Sequence, residues 1–552
     1  MDKISHCGSF LNVGMRTQEL AITFLVLGCT LTWISTCGAV VGGHLEHAHN
    51  ECSLTKYPNL CAETLMEFGS GNQNGDNIVA LVNKTIFETN LPSSYFAEFK
   101  TQDAQLVHSV VADYCEELMS MSVKRLDQSL AEMKSPQRNN NDIQTWLSAS
   151  LTFQQSCKDY VHAHTSILSA DDLMQRMSNK MDYLSQLGSN SLALVNQMST
   201  KTSHKIGANK NEQEFPEWVS SKGRKLLQGA TIKANAIVAQ DGSGNYRTVS
   251  EAIEAASGTR FVIYVKKGVY KEKIRTNKDG ITLIGDGKYS TLIVGDASVA
   301  KGATLPDSAT FITPTLVHFP AITGDGFIAR DIGFQNNAGP QGQQAVALNI
   351  ASDRSVLYRC SIAGYQDTLY AHALRQFYRE CDIYGTVDFI FGNAAAVFQS
   401  CSLVLRRPSG GGYNAVLANG RTDPGQNTGF SVHKCSIAPS ADFSAVKHSY
   451  GSFLGRPWKE YSRAVVMESS IDDAIAARGW IEWPGYGSSV LRSLYFAEYG
   501  NEGSGAGTNK RVQWPGFRVV GAQEAVKFTV ANFIAGNSWI PSTGVSFISG
   551  LN

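Results

Sequence analysis

The feature that most restricts the fold of this chain is a short repeat between Gln343 and Gly392. Within this stretch, polar and sulfur-containing side chains recur at an almost constant interval, as in the pairs Gln344 and Gln366, Asp367 and Asp388, and Cys360 and Cys381. Sequence periods of about twenty residues are typical of solenoids, in which each repeat forms one structural unit stacked on the next.

The residues around these side chains repeat as well. An aromatic residue, then a cysteine, then an aliphatic residue two positions later occur in segments 358–362, 378–383 and 398–403, with looser copies at 327–332, 432–437 and 466–471. Within each copy the residues alternate in the manner of a β-strand, and the segments between copies contain Gly, Asn and Asp. Each copy is therefore expected to form one coil of a parallel β-helix. Equivalent positions would stack roughly 4.8 Å apart and bring four polar residues to one outer face: Gln344, Gln366, Asp367 and Asp388.

The chain has 552 residues, which is enough for two or three domains and a large core. Residues 20–43 contain no charged side chain and follow Lys3 and Arg16. This pattern predicts that residues 1–43 are a signal peptide or signal anchor, and its Gly, Ser and Thr interruptions favour a cleaved signal. The rest of the chain is therefore expected to be secreted, with no membrane association after cleavage.

The sequence after the leader falls into three parts. Residues 52–200 carry apolar residues at three- and four-residue spacing, which predicts an all-α four-helix bundle with no chemistry of its own. Residues 201–228 form a polar linker ending in the dibasic pair Arg224 and Lys225, a candidate processing site. Residues 229–552 consist of short Val, Ile, Phe and Tyr runs between turn residues, which predicts one β-rich domain.

Eight cysteines lie outside the leader, and secretion makes all of them disulfide candidates. They are Cys52, Cys61, Cys115, Cys157, Cys360, Cys381, Cys401 and Cys435. No CxxC motif occurs, which argues against a zinc or thiol redox site. The sequon at Asn83 predicts N-glycosylation and fits the same compartment.

The formal net charge is zero, but the two halves differ. Residues 1–228 contain 18 Lys and Arg against 23 Asp and Glu, and residues 229–552 contain 30 against 25, giving charges of −5 and +5. A basic C-terminal half would suit a polyanionic partner, although an imbalance of this size is within ordinary scatter. We expect no nucleic-acid partner.

The candidates for chemistry are the polar residues of the repeat. No intact GxSxG, HExxH or GxxxxGK motif occurs, which argues against a nucleophile-elbow hydrolase, a zinc protease and a nucleotide enzyme. Two carboxylates on adjacent coils can act as nucleophile and general acid if their pKa values differ, two glutamine amides can stabilise an oxyanion, and Arg456 is a candidate for keeping one carboxylate charged. The alternative is that these side chains form ladders or cap turns at coil corners. No metal or cofactor is expected.

Five motifs in order, GVYKE at 268–272, LIGDG at 283–287, GYQDTLY at 364–370, GTVDFIFG at 385–392 and LGRPWKEYSR at 454–463, resemble those of plant pectin methylesterases. The bundle, with cysteine pairs at 52 and 61 and at 115 and 157, resembles the pectin methylesterase and invertase inhibitor domain of the longer family members. RKLL at 224–227 resembles their processing motif. The resemblance implies a right-handed parallel β-helix and demethylation of pectin, a homogalacturonan.

The resemblance also implies a role for individual residues. Asp388 matches the nucleophile, Asp367 the general acid, Gln366 and Gln344 the oxyanion donors, and Arg456 the residue that holds the nucleophile. Aromatic and polar positions of the sugar-binding cleft match Gln344, Arg456, Trp458, Phe391, Tyr370 and Trp480. The pairs Cys360 with Cys381 and Cys401 with Cys435 can form bridges in the family. Gln343 departs from the His-Gln pair that many members have before AVAL, whereas the donor Gln344 is retained.

The leading hypothesis is thus a secreted, monomeric, metal-independent carbohydrate esterase of the cell wall, whose bundle keeps it silent until a protease cuts the linker. An inhibitor protein is a further expected partner. A pectin lyase or glycosidase would share the fold, but it needs a calcium-binding acidic cluster or widely separated carboxylates. The alternative from another class is a catalytically inert wall-binding or inhibitor protein.

Overall fold

The computed structural model describes residues 46–68, 74–91, 93–100, 106–165, 172–203, 233–303, 311–313 and 324–551. The leader expected at 1–43 and the dibasic pair Arg224 and Lys225 lie outside these residues. Among the helices that are described, none is both long and apolar enough to cross a membrane.

The N-terminal part is helical. Its helices are α1 (Pro58–Phe68), α2 (Asn74–Thr89), α3 (Ser93–Ala97), α4 (Leu106–Met133), α5 (Asn140–Thr165) and α6 (Asp172–Ser203), and residues 46–52 are also helical. In α4, buried Val111, Cys115, Leu118 and Ser122 recur every three or four residues and form the face turned to the core. Helix α2 packs on α4 and α6, and α5 packs on the same two helices, so the predicted four-helix bundle is confirmed.

Two disulfides stabilise the bundle. Cys115 and Cys157 join α4 to α5, with Cα atoms 4.9 Å apart. Cys52 and Cys61 join the chain before α1 to α1 itself, with Cα atoms 5.7 Å apart. Both cysteine pairs on which the resemblance of the bundle rests are therefore bridged.

The C-terminal part is a parallel β-helix. Every pair of described strands is parallel, and the strands form three sheets. The 11-stranded sheet contains, in spatial order, β1 (Ala236–Val238), β2 (Phe261–Val265), β5 (Ile281–Gly285), β8 (Ile328–Arg330), β11 (Ser355–Tyr358), β14 (Arg375–Arg379), β17 (Ala395–Gln399), β20 (Gly429–His433), β23 (Arg463–Met467), β25 (Tyr495–Tyr499) and β26 (Phe517–Val519).

The other two sheets complete each coil. The 8-stranded sheet contains β24 (Ser470–Ile471), β21 (Ser436–Pro439), β18 (Ser402–Leu405), β15 (Asp382–Gly385), β12 (Ser361–Ala363), β9 (Gly333–Asn336), β6 (Thr291–Gly295) and β3 (Gly268–Lys271). The 7-stranded sheet contains β22 (Ser452–Pro457), β19 (Asn414–Asn419), β16 (Ile390–Gly392), β13 (Leu369–Ala371), β10 (Leu348–Ile350), β7 (Phe311–Thr313) and β4 (Ile274–Arg275). The short helices of this part are α7 (Val249–Glu254), α8 (Ala441–Ser444), α9 (Ser488–Ser493), α10 (Ala522–Ala525) and α11 (Val530–Phe533).

Strand register explains which coils the sequence revealed. Ser355 pairs with Gln376, and Arg375 pairs with Ala395, so two successive coils have nearly the same length. Ala395 pairs with Gly429, which makes the next coil considerably longer, because loops interrupt the later coils. The repeat is therefore clearest in the coils that carry no long loop.

A left-handed backbone residue ends most strands of the 11-stranded sheet and turns the chain into the 8-stranded sheet. Such corner residues have φ between 47° and 55°, and they are Asp331, Arg359, Glu380, Ser400, Lys434 and Glu468.

The strand register corrects the alignment of the aromatic repeat. Tyr378 pairs with Phe398 and with Leu357, so a leucine takes the place of the inward aromatic residue in the copy at 358–362. Tyr358, matched to them from the sequence, lies one position later and is partly exposed.

The four cysteines of the β-helix follow these corners and are buried and free, which contradicts the expected bridges of Cys360 with Cys381 and of Cys401 with Cys435. Each thiol instead lies 3.3 to 3.6 Å from a backbone carbonyl oxygen. Stacked positions of parallel coils direct their Cβ atoms the same way, whereas a disulfide needs the two Cβ atoms to converge to about 3.8 Å. The spacing of neighbouring strands alone was therefore not enough to predict a disulfide between stacked cysteines.

Buried polar contacts attach the bundle to the β-helix. Arg125 of α4, fully buried, donates two hydrogen bonds to Asp325 at 2.7 and 2.8 Å. Arg375 at the start of β14 bonds Asp142 of α5 at 2.5 Å and Asp353 at 2.6 Å. Around these pairs, buried side chains of both parts form one apolar cluster that includes Phe153, Ala351, Ala373 and Leu374. The bundle thus sits in a defined orientation on the β-helix.

Candidate active site

The two sequence-predicted carboxylates lie at equivalent positions of adjacent coils. Strands β13 and β16 pair Leu369 with Ile390, and an aspartate stands two residues before each of these positions. The backbone N–H of Asp367 donates to the carbonyl oxygen of Val387 at 3.2 Å, immediately before Asp388. Both aspartates have left-handed backbones, with φ of 59° and 53°, which Asp tolerates better than most residues. The structure therefore brings Asp367 and Asp388 together.

Within the described residues, Arg456 donates hydrogen bonds to Asp388 and none to Asp367. It lies in β22, where it pairs with Ala418 of β19, and Ala418 pairs with Phe391 of β16. Because the intervening alanine is small, the arginine side chain reaches back across it. Its Nε and Nη2 atoms donate to the two carboxylate oxygens of Asp388 at 2.8 and 2.5 Å. This bidentate, charge-assisted geometry is among the strongest that a carboxylate and a side chain form.

The electrostatics of the two carboxyls differ as a result. Burial raises the pKa of Asp388 above its ordinary value, and hydrogen bonds from Arg456 oppose that rise. Burial and the neighbouring charge of Asp388 raise the pKa of Asp367 well above its ordinary value. Asp388 therefore loses its proton first, and Asp367 retains one over a higher pH range. This division is what a nucleophile and a general acid require.

Gln344 and Gln366 lie beside the carboxyls. They form a parallel bridge between adjacent coils, and the backbone of Gln366 directly precedes Asp367. Both side chains are partly exposed, and within the described part of the chain neither amide has a hydrogen-bond partner. Two amide N–H groups are thus available to an oxyanion that forms near Asp388.

Aromatic side chains line one side of the carboxylate pair. The rings of Tyr370 and Phe391 stack with centroids 4.5 Å apart, and the edge of Trp458 meets Phe391 at 6.0 Å. Gly420 permits this arrangement, because a Cβ atom there would lie 2.7 Å from the ring of Trp458. These three rings, which the sequence assigned to a sugar-binding cleft, therefore contact one another in the structure.

Trp480 does not belong to this cleft, contrary to the sequence prediction. It is fully buried in the core of the β-helix, where it stacks on Phe496 at 4.4 Å and its Nε1–H donates to Glu498 at 3.1 Å. The backbone of Trp480 bridges to Gly455 of β22, and its ring is part of the apolar core of the β-helix. Trp483, three residues later, lies over the Arg456 guanidinium instead, at 3.9 Å.

Sequence reasoning missed three residues at the site: Trp483, Tyr413 and His372. Arg456 Nη1 donates to the phenol oxygen of Tyr413 at 2.5 Å. His372 stacks on Tyr370 at 4.3 Å. None of the three was among the residues that the repeat of about twenty residues singled out. The strand register alone could have suggested His372, since it follows β13 directly.

Helix α5 of the bundle covers the aromatic side of the cleft. Ser156 of α5 hydrogen-bonds His372 Nε2 at 2.8 Å, and Asp159 of α5 pairs with Lys459 at 2.5 Å. Asn393 donates to Thr152 of α5 at 2.9 Å. The cavity left between α5 and this side of the cleft is about 10 Å³, which is about the space of one water molecule.

Two family models match the chain. The model described as Pectinesterase matches residues 235–537, and the model described as Plant invertase/pectin methylesterase inhibitor matches residues 48–194. The first match covers most of the β-helix with all the candidate active-site residues, and the second covers most of the helical bundle.

Individual proteins are similar over the same regions. An Arabidopsis thaliana protein named "Probable pectinesterase/pectinesterase inhibitor 54" is 49% identical over 493 residues, which are 87% of this chain and 88% of the relative. "Pectinesterase 1" of Solanum lycopersicum is 41% identical over 560 residues, covering 98% of each chain. The solved structure "Pectin methylesterase from Carrot" is 49% identical, matches 58% of this chain and 100% of its own, and superposes with a TM-score of 0.56.

Proposed function

Because this chain belongs to the pectinesterase family and is a carboxylic ester hydrolase, we propose that Asp388 and Asp367 carry its reaction. The substrate is the methyl ester of a galacturonosyl unit in pectin, and the products are methanol and a free carboxylate. One observation supports the assignment most strongly: Arg456 binds both oxygens of Asp388, while Asp367, one coil earlier, has no such partner in the described structure.

The proposed reaction has two steps. The ionised carboxylate of Asp388 attacks the ester carbonyl carbon, and the oxyanion that forms accepts hydrogen bonds from Gln366 and Gln344. The intermediate collapses when the C–O bond to methanol breaks and Asp367 gives its proton to the departing oxygen. The result is an acyl-enzyme, a mixed anhydride between Asp388 and the sugar carboxyl, and a deprotonated Asp367.

The second step restores the enzyme. Asp367, now a carboxylate, takes a proton from water, which attacks the sugar carbonyl carbon of the anhydride. The bond to Asp388 breaks, Asp388 leaves as a carboxylate stabilised by Arg456, and Asp367 is protonated again. Ester and water are thereby converted to acid and methanol, with no net change at either aspartate.

The sugar-binding cleft of this proposal consists of Tyr370, Phe391 and Trp458, with Gln344 and Arg456 at its catalytic end. The Tyr370 ring already stacks on Phe391 and on His372, so it supports the cleft, and the Trp458 ring, which meets Phe391 edge to face, is the one proposed to stack on a pyranose unit. Trp480 has no part in it because its ring is inside the core.

We further propose that the inhibitor-like bundle silences the enzyme that follows it. Helix α5 covers Tyr370, His372 and Trp458, and about 10 Å³ remains there, so a sugar unit cannot enter while the bundle is seated. The proposal keeps the order of parts that the sequence predicts: leader 1–43, bundle 52–200, linker 201–228 and esterase 229–552. Cleavage at Arg224 and Lys225 by a processing protease would release the bundle.

The same proposal places the protein outside the cell. A leader, two disulfides and the exposed sequon residue Asn83 in α2 all suit a secreted glycoprotein of the cell wall. The active form is proposed to be a monomer that acts on pectin. Inhibitor proteins that resemble its own bundle are proposed to bind it.

Methanol release from highly methylated pectin by residues 229–552 in excess chelator tests the reaction class. An esterase releases methanol at an undiminished rate and forms no unsaturated sugar. Unsaturated product, or activity lost on chelation, would instead favour a lyase on the same fold, and the absence of any product would favour an inert wall-binding protein.

A further inference from the structure

Tyr413 is held beside the catalytic arginine although no motif includes it. It immediately precedes β19, at the end of a loop that contains Gly410, Gly411 and Gly412. Its phenol oxygen accepts a hydrogen bond from Arg456 Nη1 at 2.5 Å, and its ring packs edge-on against Phe453 at 6.1 Å. These two contacts fix the position of the phenol.

The hydrogen of this phenol has no partner within the described part of the chain. Arg456 has donors only, so Tyr413 must direct its own O–H elsewhere. Among the residues that the structure describes, no acceptor receives it. The side chain is partly exposed, so the O–H is open to a ligand. A hydroxyl that accepts from a cation is polarised, and this makes it a stronger donor.

The phenol also lies next to the reacting group. Arg456 uses Nε and Nη2 for Asp388 and Nη1 for Tyr413, so one guanidinium group separates the phenol from the nucleophile. A galacturonosyl unit whose ester carbon contacts Asp388 carries ring, hydroxyl and glycosidic oxygens within a few ångströms of that carbon. Each of these oxygens can accept a hydrogen bond.

We propose that Tyr413 donates its phenolic hydrogen bond to an oxygen of the galacturonosyl unit that is being demethylated, and so helps to select and position that unit. The inference rests on the proposed function and adds a residue to its substrate site. Burial raises the pKa of Tyr413 above its ordinary value, so the donor keeps its hydrogen at neutral and acidic pH.

The contact is made with a sugar oxygen that does not react, so it exists in the bound substrate and in the transition state alike. Its loss should weaken binding without slowing the chemical step. For one neutral hydrogen bond we expect KM to rise roughly 3- to 10-fold, with kcat unchanged.

The test is steady-state methanol release by residues 229–552 carrying Tyr413→Phe, measured across the acidic and neutral pH range. The solved carrot chain, which matches 58% of this chain over its whole length, supports the expectation that residues 229–552 are stable without the bundle. Tyr450→Phe is the matched control, because the Tyr450 phenol also accepts from an arginine, Arg407, at 3.4 Å but lies away from the carboxylates. Equal thermal unfolding of the variants verifies their folds.

A higher KM in Tyr413→Phe alone, with kcat and the pH profile unchanged, supports the proposal. A lower kcat with a shifted acidic limb would overturn it, because Tyr413 would then act only through Arg456. Unchanged kinetics would overturn it as well. An inactive parent protein would instead contradict the proposed function, so the two failures are distinguishable.

Discussion

Arg456 donates from Nε and Nη2 to both carboxylate oxygens of Asp388, from a strand two coils further along the β-helix. This contact makes two carboxyls that occupy equivalent coil positions chemically unequal. Asp367 receives no hydrogen bond from this arginine, and burial and the neighbouring charge of Asp388 raise the pKa of Asp367 well above its ordinary value. The division of labour proposed for the active site therefore follows from one side chain on a neighbouring strand.

Replacing Arg456 by lysine should impair the nucleophile. A lysine is a point charge that cannot bind both oxygens of Asp388, so the pKa of Asp388 should rise further and the acidic limb of the pH profile should move to higher pH. We expect kcat to fall about 100-fold. Arg359→Lys is the control, because Arg359 binds both oxygens of Asp331 away from the cleft. An unmoved acidic limb in Arg456→Lys would contradict this role.

Asp367, the proposed general acid, should lower the free energy of unfolding at neutral pH. The pKa of Asp367 is higher in the folded than in the unfolded chain, where it is about 3.9. The folded state therefore binds more protons, and stability decreases as pH rises through the folded pKa. Asp367→Asn should raise the melting temperature at neutral pH, leave it nearly unchanged below the unfolded pKa, and abolish turnover. A lower melting temperature at neutral pH would show that the buried carboxylate is not destabilising.

Loosening the bundle should activate the full chain. Arg125→Met preserves side-chain length but removes the buried cation that pairs with Asp325, at a cost of up to about 3 kcal/mol. The methanol release rate of the full-length variant should approach that of residues 229–552. Glu67→Ala, which removes an exposed carboxylate 3.4 Å from Lys84 within the bundle, is the control and should change nothing. Equal rates for intact and bundle-free wild-type protein would refute autoinhibition.

Two tryptophans that the sequence assigned to one cleft should behave differently. Trp458→Ala removes a ring of the cleft and should raise KM about fivefold to tenfold. Trp480→Phe removes the hydrogen bond to Glu498 and part of a packed ring, so it should cost about 1 to 3 kcal/mol of stability and leave KM unaltered. Denaturant unfolding and steady-state kinetics of both variants separate the two roles, and a KM effect of Trp480→Phe would contradict its core position.

The period of the sequence was sufficient to predict the β-helix and to place the candidate active-site residues on adjacent coils. The coils between Ser355 and Ala395 have no long loop, so residues in register repeat visibly. The backbone bridge of Gln344 with Gln366 illustrates that the predicted polar residues lie at paired positions of adjacent coils. The bundle was equally predictable from helical spacing, as in α4. The family resemblance added the pairing of Arg456 with Asp388, which no local pattern indicates.

Other features depend on geometry that the sequence does not express. The backbone of Trp480 bridges to Gly455 of β22 and its side chain lies in the core, whereas the ring of Trp483 lies over Arg456. Composition does not distinguish these two tryptophans. Tyr413 is far from Arg456 in the sequence and lies in a glycine-rich loop. The cysteines of the β-helix stack in a row with parallel Cβ directions, so their number and spacing did not reveal that they are free.

The central claim, that Asp388 is the nucleophile, is tested most directly by methanol release from residues 229–552 carrying Asp388→Asn. Asp331→Asn is a closely matched control: Asp331 also has a left-handed backbone, with φ of 52°, and an arginine bound to both oxygens, but it lies outside the cleft. With both variants folded, we expect Asp388→Asn to lose at least about 1,000-fold in rate and Asp331→Asn to retain the parent rate. Retained activity in folded Asp388→Asn would contradict the account.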